Sequence, residues 1–280
     1  MRLVRFGDRG AERPGMVDDA GRIRDLSQHA GALEGAALDP DRLSALAAID
    51  PATLPLIAEG TRLCKPVERI GKIVGVGPNY TDSAQLAGFR INPEPTIFLK
   101  ATTSACGPND AIEIPKLAGR VDWGVELAVV IGRVAKYASV EDAQRAVAGY
   151  CLANDVTERN YQLQRGGQWT KGKSHDTFCP LGPWLVTPDE LPEPDRIELW
   201  LDVNGERQQV GSLGEMIFKI PYLVSYISRF MRLEPGDVIL TGTLAGVGLS
   251  YDPPRFLKAG DRIRLGGTGL GEQENACVAI

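Results

Sequence analysis

Acidic side chains that could bind a cation or move a proton occur in two apolar segments of the chain. Asp122 and Glu126 lie within VDWGVELAVVIG (121–132), and Asp155 lies within LANDV (152–156). Because side chains alternate along a strand, Asp122, position 124 and Glu126 are predicted to share one strand face. If Glu126 and Asp155 do not bind a cation, the alternative interpretation is that they form buried ion pairs with Lys173 or Arg159.

Histidine is scarce and the cysteines lack a metal-binding or redox spacing, which narrows the possible chemistry. Only His29 and His175 occur, so a multi-histidine metal site is excluded. His175 lies two positions after Lys173 in WTKGKSHD (169–176) and is a candidate acid/base group, although a lone histidine in a strand is more often structural. The five cysteines form no CxxC pair and predict reduced thiols, as in a cytosol.

The composition describes a soluble globular protein. The chain has 280 residues, of which 43% are hydrophobic and 24% charged, and its formal net charge is -5. This acidic balance, without a basic run, argues against a nucleic-acid binder. The longest apolar stretches are strand-sized and predict no membrane span. The start, MRLVRFGDRG, has no apolar signal core, so a cytoplasmic location is expected.

The elements that must position these residues are mostly strands. Residues 1–30 predict short strands and turns, and residues 31–60 predict short helices, so a small N-terminal domain (1–67) is expected before a catalytic core (68–280). Helices are predicted at 139–150 and 220–233, and Asn204-Gly205 predicts a hairpin turn. Many strands and few helices indicate an α+β, β-rich fold.

Six segments, taken in order, resemble the fumarylacetoacetate hydrolase family. They are KIVGVGPNY (72–80), TIFLKATTSACGP (96–108), VDWGVELAVVIG (121–132), GYCLANDVTERNYQ (149–162), WTKGKSHDTFCPLGPW (169–184) and SRFMRLEPGDVILTGTLAGVG (228–248). The resemblance implies a mixed β-roll core, a homodimer, and a Mg²⁺ or Mn²⁺ site with no organic cofactor. Family members cleave or remodel C–C bonds in small acids that carry a second carbonyl.

The resemblance also implies where the metal ligands lie. The family pattern has two glutamates, two positions apart, after VD, and a third carboxylate further along. Here those positions are Gly124, Glu126 and Asp155, so the first ligand is absent. Asp122 shares the predicted strand face and is the candidate to replace it, directly or through water. In such a site the ion chelates a keto acid and stabilises the enolate that forms from it.

The family often has the pattern N-Y-x-x-H-x-x-E, in which His and Glu activate water or move a proton. The corresponding run is NYTDSAQL (79–86), so Ser83 replaces His and Leu86 replaces Glu. An unassisted serine is a poor base at neutral pH, and leucine cannot move a proton. Asp82 is adjacent in sequence, but a neighbouring position points elsewhere on a helix, and a capping or solvated role is the simpler interpretation.

The rest of the family's polar pocket is retained. Lys173 is expected to hold an anionic oxygen, and the Thr243 hydroxyl with the GTLAG backbone (242–246) is expected to bind a carboxylate. The four tryptophans are expected in the core or the pocket wall. The substrate-binding candidates are Tyr80, Lys100, Arg159, Gln162 and Thr243. The catalytic candidates are Ser83, Lys173, His175 and Thr243.

Three functions are compatible with these residues. The first is an enzyme with altered, non-hydrolytic chemistry on a carbonyl-containing acid, such as a cyclase, isomerase, dehydratase or decarboxylase in a specialised biosynthetic pathway. The second is an ordinary Mg²⁺- or Mn²⁺-dependent acylpyruvate hydrolase or oxaloacetate decarboxylase. The third is a non-catalytic relative that binds a ligand or a partner subunit. The absent dyad favours the first, because one acid/base group contributes roughly 10²–10⁴-fold to a rate.

Overall fold

The computed structural model describes residues 1–280 as a mixed α/β chain with a sheet-rich core, which confirms the predicted fold class. The strands are β1 (Arg2–Phe6), β2 (Arg13–Val17), β3 (Ile23–Asp25), β4 (Leu63–Cys64), β5 (Ile73–Val76), β6 (Ile97–Lys100), β7 (Ala105–Cys106), β8 (Ile112–Ile114), β9 (Val121–Asp122), β10 (Val125–Ile131), β11 (Val147–Asn154), β12 (Thr157–Glu158), β13 (Cys179–Val186), β14 (Glu198–Val203), β15 (Glu206–Ser212), β16 (Val238–Leu240), β17 (Arg262–Gly267) and β18 (Gly271–Ala279). The α-helices are α1 (Pro40–Ala47), α2 (Thr81–Leu86), α3 (Val140–Arg145), α4 (Arg159–Leu163), α5 (Thr170–Lys173) and α6 (Ile220–Ser228). Short 3-10 turns cover Gly35–Leu38, Pro51–Thr53, Thr102–Ser104, Pro194–Arg196, Leu213–Glu215 and Gly248–Ser250.

The largest sheet runs in the order β3-β2-β1-β13-β11-β10-β16-β5-β6, with β4 beside β1 and β7 beside β13. Its central strand β10 is buried along its whole length, as its continuous apolar sequence predicts. Alternate residues of β10 enter two different hydrophobic clusters, Leu127 and Val129 in one and Ala128 and Val130 in the other. The sheet is therefore covered on both faces.

A second sheet has the order β15-β14-β17-β18-β8. Its β14–β15 hairpin turns at Asn204-Gly205, and both residues have positive φ (53° and 81°), as this turn requires. The predicted hairpin turn is thus confirmed. The predicted helix at 139–150 is shorter than expected: α3 begins after Ser139, whose hydroxyl accepts from the Asp142 N–H, and it ends at Arg145. The following residues instead form β11 between β10 and β13.

The N-terminal residues are joined to the large sheet rather than separate from it. Strand β1 pairs antiparallel with β13 through Arg2 and Leu3. Apolar residues from both parts of the chain, Leu38 and Ile73 among them, share one hydrophobic cluster. A domain division near residue 68 stays a prediction. None of the helices is both long and apolar enough to cross a lipid bilayer.

The segment around Trp123 departs from the single strand that the sequence predicts. Strand β9 ends at Asp122 and β10 begins at Val125, so the strand is interrupted at Trp123 and Gly124. Strand β9 pairs with β12, whereas β10 pairs with β11 and β16. Asp122 and Glu126 consequently belong to different sheets, and the expectation that they share one strand face is wrong.

Candidate functional site

One pocket collects most of the polar residues that the sequence singles out. It lies where the end of β5 and the start of β10 meet α2, α4, α5 and the loop after β16, and it encloses about 480 Å³ including its open mouth. Its polar lining residues are Ser83, Glu126, Asp155, Arg159, Gln162, Lys173 and Thr243. Trp123 and Trp169 form part of its wall. A few convergent polar groups beside an apolar and aromatic wall are typical of a small-molecule site.

Asp155 is the centre of a buried ion cluster at the base of this pocket. It follows β11 directly, and its N–H donates to the Gly124 carbonyl at 2.8 Å, which places it beside the start of β10. Lys100 Nζ donates to Asp155 Oδ1 at 2.7 Å, and Lys173 Nζ donates to Oδ2. Although burial favours the protonated form, these two ammonium groups hold the pKa of the Asp155 carboxyl below its usual value. Both carboxylate oxygens therefore face a lysine.

Glu126 presents one free carboxylate oxygen to the pocket. Its Oε2 accepts a hydrogen bond from the Gly242 N–H at 2.8 Å, whereas Oε1 accepts none from the protein. Burial, and then the nearby Asp155 carboxylate, raises the pKa of the Glu126 carboxyl well above its usual value. Burial also lowers the pKa of Lys173, against the pull of Asp155. The pocket base thus combines an anion held by two lysines with a carboxyl group that holds a proton more tightly than usual.

Thr243 occupies the space beside Gly124, where the family pattern has a glutamate. A Cβ atom at Gly124 would lie 3.2 Å from Thr243 Oγ1 and 3.4 Å from its Cγ2. The Thr243 hydroxyl donates to the Val125 carbonyl at 2.9 Å and accepts from Gln209 Nε2 at 2.9 Å. Gln209 also donates to the Leu244 carbonyl and accepts from the Val125 N–H. The hydroxyl is therefore engaged within the protein rather than free for a substrate.

Arg159 is held in place by two side chains and lines the pocket. Its Nε donates to Asp122 Oδ2 at 2.8 Å, and Nη1 donates to Gln162 Oε1 at 2.9 Å. The second terminal nitrogen, Nη2, has no partner in the protein, although the residue is only 5% exposed. A buried guanidinium with an unused donor at a pocket wall is suited to bind a carboxylate.

Asp122 orients Arg159 and does not approach the other carboxylates. Besides Arg159, its two oxygens accept from the backbone N–H groups of Trp123, Gly248 and Leu249 at 2.6–3.0 Å. It does not line the pocket. The expectation that Asp122 replaces the missing metal ligand is therefore not met, because the break after β9 turns its side chain towards the loop that contains Gly248.

The positions of the family dyad contain no acid/base pair. The Ser83 hydroxyl lines the pocket but donates to the Leu244 carbonyl at 3.2 Å, so no base is available to take its proton. Leu86 is 59% exposed, and Asp82 is exposed on the outer side of α2. The interpretation of Asp82 as a helix-terminal, solvated carboxylate agrees with its place in the first turn of α2.

Three further candidates lie outside the pocket lining. Lys100 is buried, with its ammonium enclosed by Asp155 and the Val156 carbonyl, so it supports Asp155 rather than the substrate. Tyr80 packs in the hydrophobic core, and burial raises its pKa. His175 lies between two aromatic rings, with its Nε2 buried and unpartnered, and burial lowers its pKa. None of the three is placed to contact a ligand in this pocket.

The aromatic side of the pocket was missed by sequence reasoning. Phe89 and Phe98 line it together with Trp169. The register of β5 and β6 places Phe98 opposite Gly75, where a Cβ atom would lie 2.1 Å from the ring. The glycine therefore makes room for Phe98, but that relation depends on strand pairing and is not visible in either segment alone.

The residues present do not fit the Mg²⁺ or Mn²⁺ site that the resemblance implies. These hard cations prefer several anionic oxygen ligands. Only Glu126 and Asp155 contribute carboxylates to the pocket, and Lys100 and Lys173 already bond both oxygens of Asp155. No group of three or more acidic, histidine or cysteine side chains is arranged to hold an ion. The two ammonium groups already offset the negative charge of Asp155, so the pocket base has no excess negative charge to attract a dication.

Comparisons with known proteins identify the family of this chain. The model of the fumarylacetoacetate hydrolase C-terminal domain matches residues 72–278. A Burkholderia ambifaria protein described as a "putative hydrolase" is 54% identical over 274 residues, which is 98% of this chain and 97% of that protein.

Two solved structures are similar over the whole chain. The fumarylacetoacetate hydrolase from Exiguobacterium antarcticum is 33% identical with a TM-score of 0.87, and 100% of each chain is covered. The 5-carboxymethyl-2-hydroxymuconate delta-isomerase from Mycobacterium smegmatis is 32% identical with a TM-score of 0.78, covering 100% of this chain and 99% of that one. The sequence, the fold and the pocket together show that the chain belongs to the fumarylacetoacetate hydrolase family.

Proposed function

We propose that this chain is an enzyme that moves a proton within a small carboxylic acid bearing a carbonyl group, an isomerase-type reaction, without hydrolysis. One observation carries the proposal. The pocket has cations for a carboxylate and a free carboxylate oxygen, yet positions 83 and 86 contain no group that could activate water. Proton transfer needs a base and a stabilised oxyanion, whereas hydrolysis also needs a positioned and activated water.

Glu126 is the proton carrier in this proposal. Its free Oε1 faces the pocket, while the Gly242 N–H fixes the other oxygen. The carboxylate takes a proton from the carbon next to the substrate carbonyl, and the electron pair of that C–H bond moves onto the carbonyl oxygen. The proton then returns to a conjugated carbon while the electron pair moves back from the oxygen and the double bond shifts, which completes an isomerisation with no water consumed. Return to the original carbon gives hydrogen exchange only. No other bond to carbon is made or broken.

The two cationic residues that line the pocket, Arg159 and Lys173, bind different oxygen groups of the substrate. Arg159, with its unused Nη2, binds the substrate carboxylate. Lys173 donates to the oxygen that becomes negative when the proton leaves, and its ion pair with Asp155 fixes the position of the ammonium group. Fixed donors directed at a developing oxyanion are commonly a large part of enzymatic rate enhancement.

The comparisons support both an isomerase and a second candidate. The Mycobacterium smegmatis protein is named as an isomerase at 32% identity. The relative that is 54% identical is named a "putative hydrolase", which favours hydrolysis of an acylpyruvate-like acid as the second candidate. Hydrolysis would need a group that activates water, and neither Ser83 nor Leu86 can do so.

Carbon-bound hydrogen exchange separates the two reactions. The purified protein is incubated in D₂O with 2-oxobutanoate or phenylpyruvate, and loss of the C3 proton signal is followed by NMR. Parallel assays follow acetylpyruvate hydrolysis and oxaloacetate decarboxylation, each with EDTA and with Mn²⁺. We expect exchange above the uncatalysed rate in EDTA, and no hydrolysis above background.

The matched variants are Glu126→Gln and Glu141→Gln, since Glu141 is exposed on α3. Removing one acid/base group slows a reaction by roughly 10²–10⁴-fold, so Glu126→Gln should abolish measurable exchange whereas Glu141→Gln should not change it. Hydrolysis of acetylpyruvate with Mn²⁺ that outpaces exchange would refute the proposal and support the second candidate.

A further inference from the structure

Three aromatic rings form one continuous side of the pocket, called here the aromatic wall (Phe89, Phe98 and Trp169). The Trp169 ring centroid lies 5.4 Å from that of Phe89 and 5.7 Å from that of Phe98, with tilted planes. These residues come from the loop after α2, from β6 and from the start of α5, respectively. The rings thus meet only in the folded chain, and they meet at the pocket.

The aromatic wall is held in position by the backbone around it. Gly75 leaves space for the Phe98 ring, and a Cβ atom at Gly77 would lie 3.9 Å from both Phe98 and Trp169. The Lys173 ammonium lies 4.5 Å from the centroid of the Phe98 ring. Phe89 and Trp169 keep part of their surface exposed, which distinguishes them from fully buried core residues. The wall therefore presents accessible ring surface directly beside the polar base of the pocket.

The charges of the pocket leave room for one substrate carboxylate. Arg159 and Lys173 are its only cationic lining residues, and each is already paired with a buried carboxylate, Asp122 or Asp155. The other polar lining residues carry no positive charge: they are the neutral side chains of Ser83, Gln162 and Thr243 and the carboxyl groups of Glu126 and Asp155. The rest of the lining is apolar, formed by the aromatic wall and residues such as Val76 and Val247. A second carboxylate of a substrate would find no further cation and would lie beside apolar groups or beside the carboxyl groups of Glu126 and Asp155, where an unpaired negative charge is strongly disfavoured.

We infer that the substrate is a monocarboxylic acid whose carbonyl-bearing end is followed by an aryl group or a similar planar apolar group. The carboxylate and carbonyl lie against Arg159 and Lys173, and the planar group lies against the aromatic wall. Aromatic groups prefer tilted or offset contacts at such ring separations. This inference names the substrate class of the proposed proton transfer. The reaction rests on the proposed function, whereas the binding preference rests on the pocket lining alone.

Calorimetry tests the preference with phenylpyruvate, pyruvate and oxaloacetate. The first two differ by the aryl group, and oxaloacetate replaces that group with a second carboxylate. We expect phenylpyruvate to bind at least tenfold more tightly than either of the others. In Trp169→Ala, the affinity for phenylpyruvate should fall at least tenfold, while the affinity for pyruvate should change less than twofold. Trp184→Ala is the matched control because Trp184 lies on β13 and does not line the pocket.

Three outcomes would overturn the inference. They are binding of oxaloacetate to the wild type as tightly as phenylpyruvate, an unchanged preference for phenylpyruvate in Trp169→Ala, and no binding of phenylpyruvate at all. Should Trp169→Ala fail to fold, Phe98→Leu and Trp169→Leu are measured in its place with the same expectation. Tight binding of phenylpyruvate without hydrogen exchange would refute the proposed reaction and leave the substrate class standing.

Discussion

Replacing Lys173 with methionine tests the ion cluster at the base of the pocket. Lys173 is 5% exposed and bonded to Asp155, so the change leaves a buried carboxylate with one ammonium partner in place of two. Removing one member of a buried ion pair costs about 3–5 kcal/mol. Since Lys100 still bonds Asp155 at 2.7 Å, we expect a loss near the lower end, about 3 kcal/mol. At roughly 2 °C per kcal/mol, Tm should fall by about 6 °C.

Urea unfolding followed by circular dichroism at pH 7 measures the change. The control is Lys171→Met, in the same helix but exposed, and surface substitutions of this kind usually change stability by less than about 0.5 kcal/mol. A double variant, Lys173→Met with Asp155→Asn, also leaves the buried Lys100 ammonium without its carboxylate, so it should be no more stable than Lys173→Met alone. If Lys173→Met unfolds at the same urea concentration as Lys171→Met, the ion cluster does not stabilise the fold and the reasoning is refuted.

Further expectations concern the site, the assembly and acid stability. Asp122→Asn should raise KM at least fivefold with little change in kcat, because it weakens the ion pair that positions Arg159. Asp122→Glu keeps the negative charge and should restore part of the KM, whereas a purely structural role of Asp122 predicts no such recovery. Gly124→Glu combined with Thr243→Ala should bind Mn²⁺ more tightly by calorimetry than Gly124→Glu alone, since Thr243 lies 3.2–3.4 Å from the new Cβ; equal affinities would contradict this. We propose a homodimer, which light scattering at micromolar concentration would show, and a strict monomer would exclude it. The Arg22 N–H, with the Arg24 and Arg22 side chains, lowers the pKa of Asp18 to about 2, so its contribution to stability is present above about pH 4 and is lost as pH falls towards 2. Asp18→Asn should therefore be less stable than the wild type at pH 7, and urea unfolding should show that this difference shrinks below pH 4 and is mostly lost at pH 2.

Local patterns were enough to predict much of the fold. The continuous apolar runs of β10 and β11 predict buried strands, and both are buried throughout. Asn204-Gly205 predicts a two-residue turn because both positions need positive φ, and the Ser139 N-cap marks the start of α3. These features depend on residues that are close together in the chain. The family motifs add the order of the segments, which the comparison with the family confirms over residues 72–278.

The partners of the charged groups were decided by tertiary structure. Asp122 looked like a metal ligand because a continuous strand would place it on the face of Glu126, but the break before β10 directs it to Arg159. Lys100 matched a pocket position, yet Asp155 and Val156 enclose its ammonium. Which cation neutralises which carboxylate depends on distances between segments that are far apart in sequence, and a buried charge is paired with whatever the fold brings near.

By itself, the sequence determined the family, the strand-rich class and the loss of the dyad, because residue identity at aligned positions is enough to exclude a base at 83 or 86. Only the folded chain showed that Thr243 lies over Gly124 and that Phe89, Phe98 and Trp169 meet in one wall. The physical reason is that packing is a property of surfaces in contact. The sequence does not distinguish a phenylalanine or tryptophan in the core from one that lines a pocket. Only the residues packed around the ring determine whether its surface is buried or accessible.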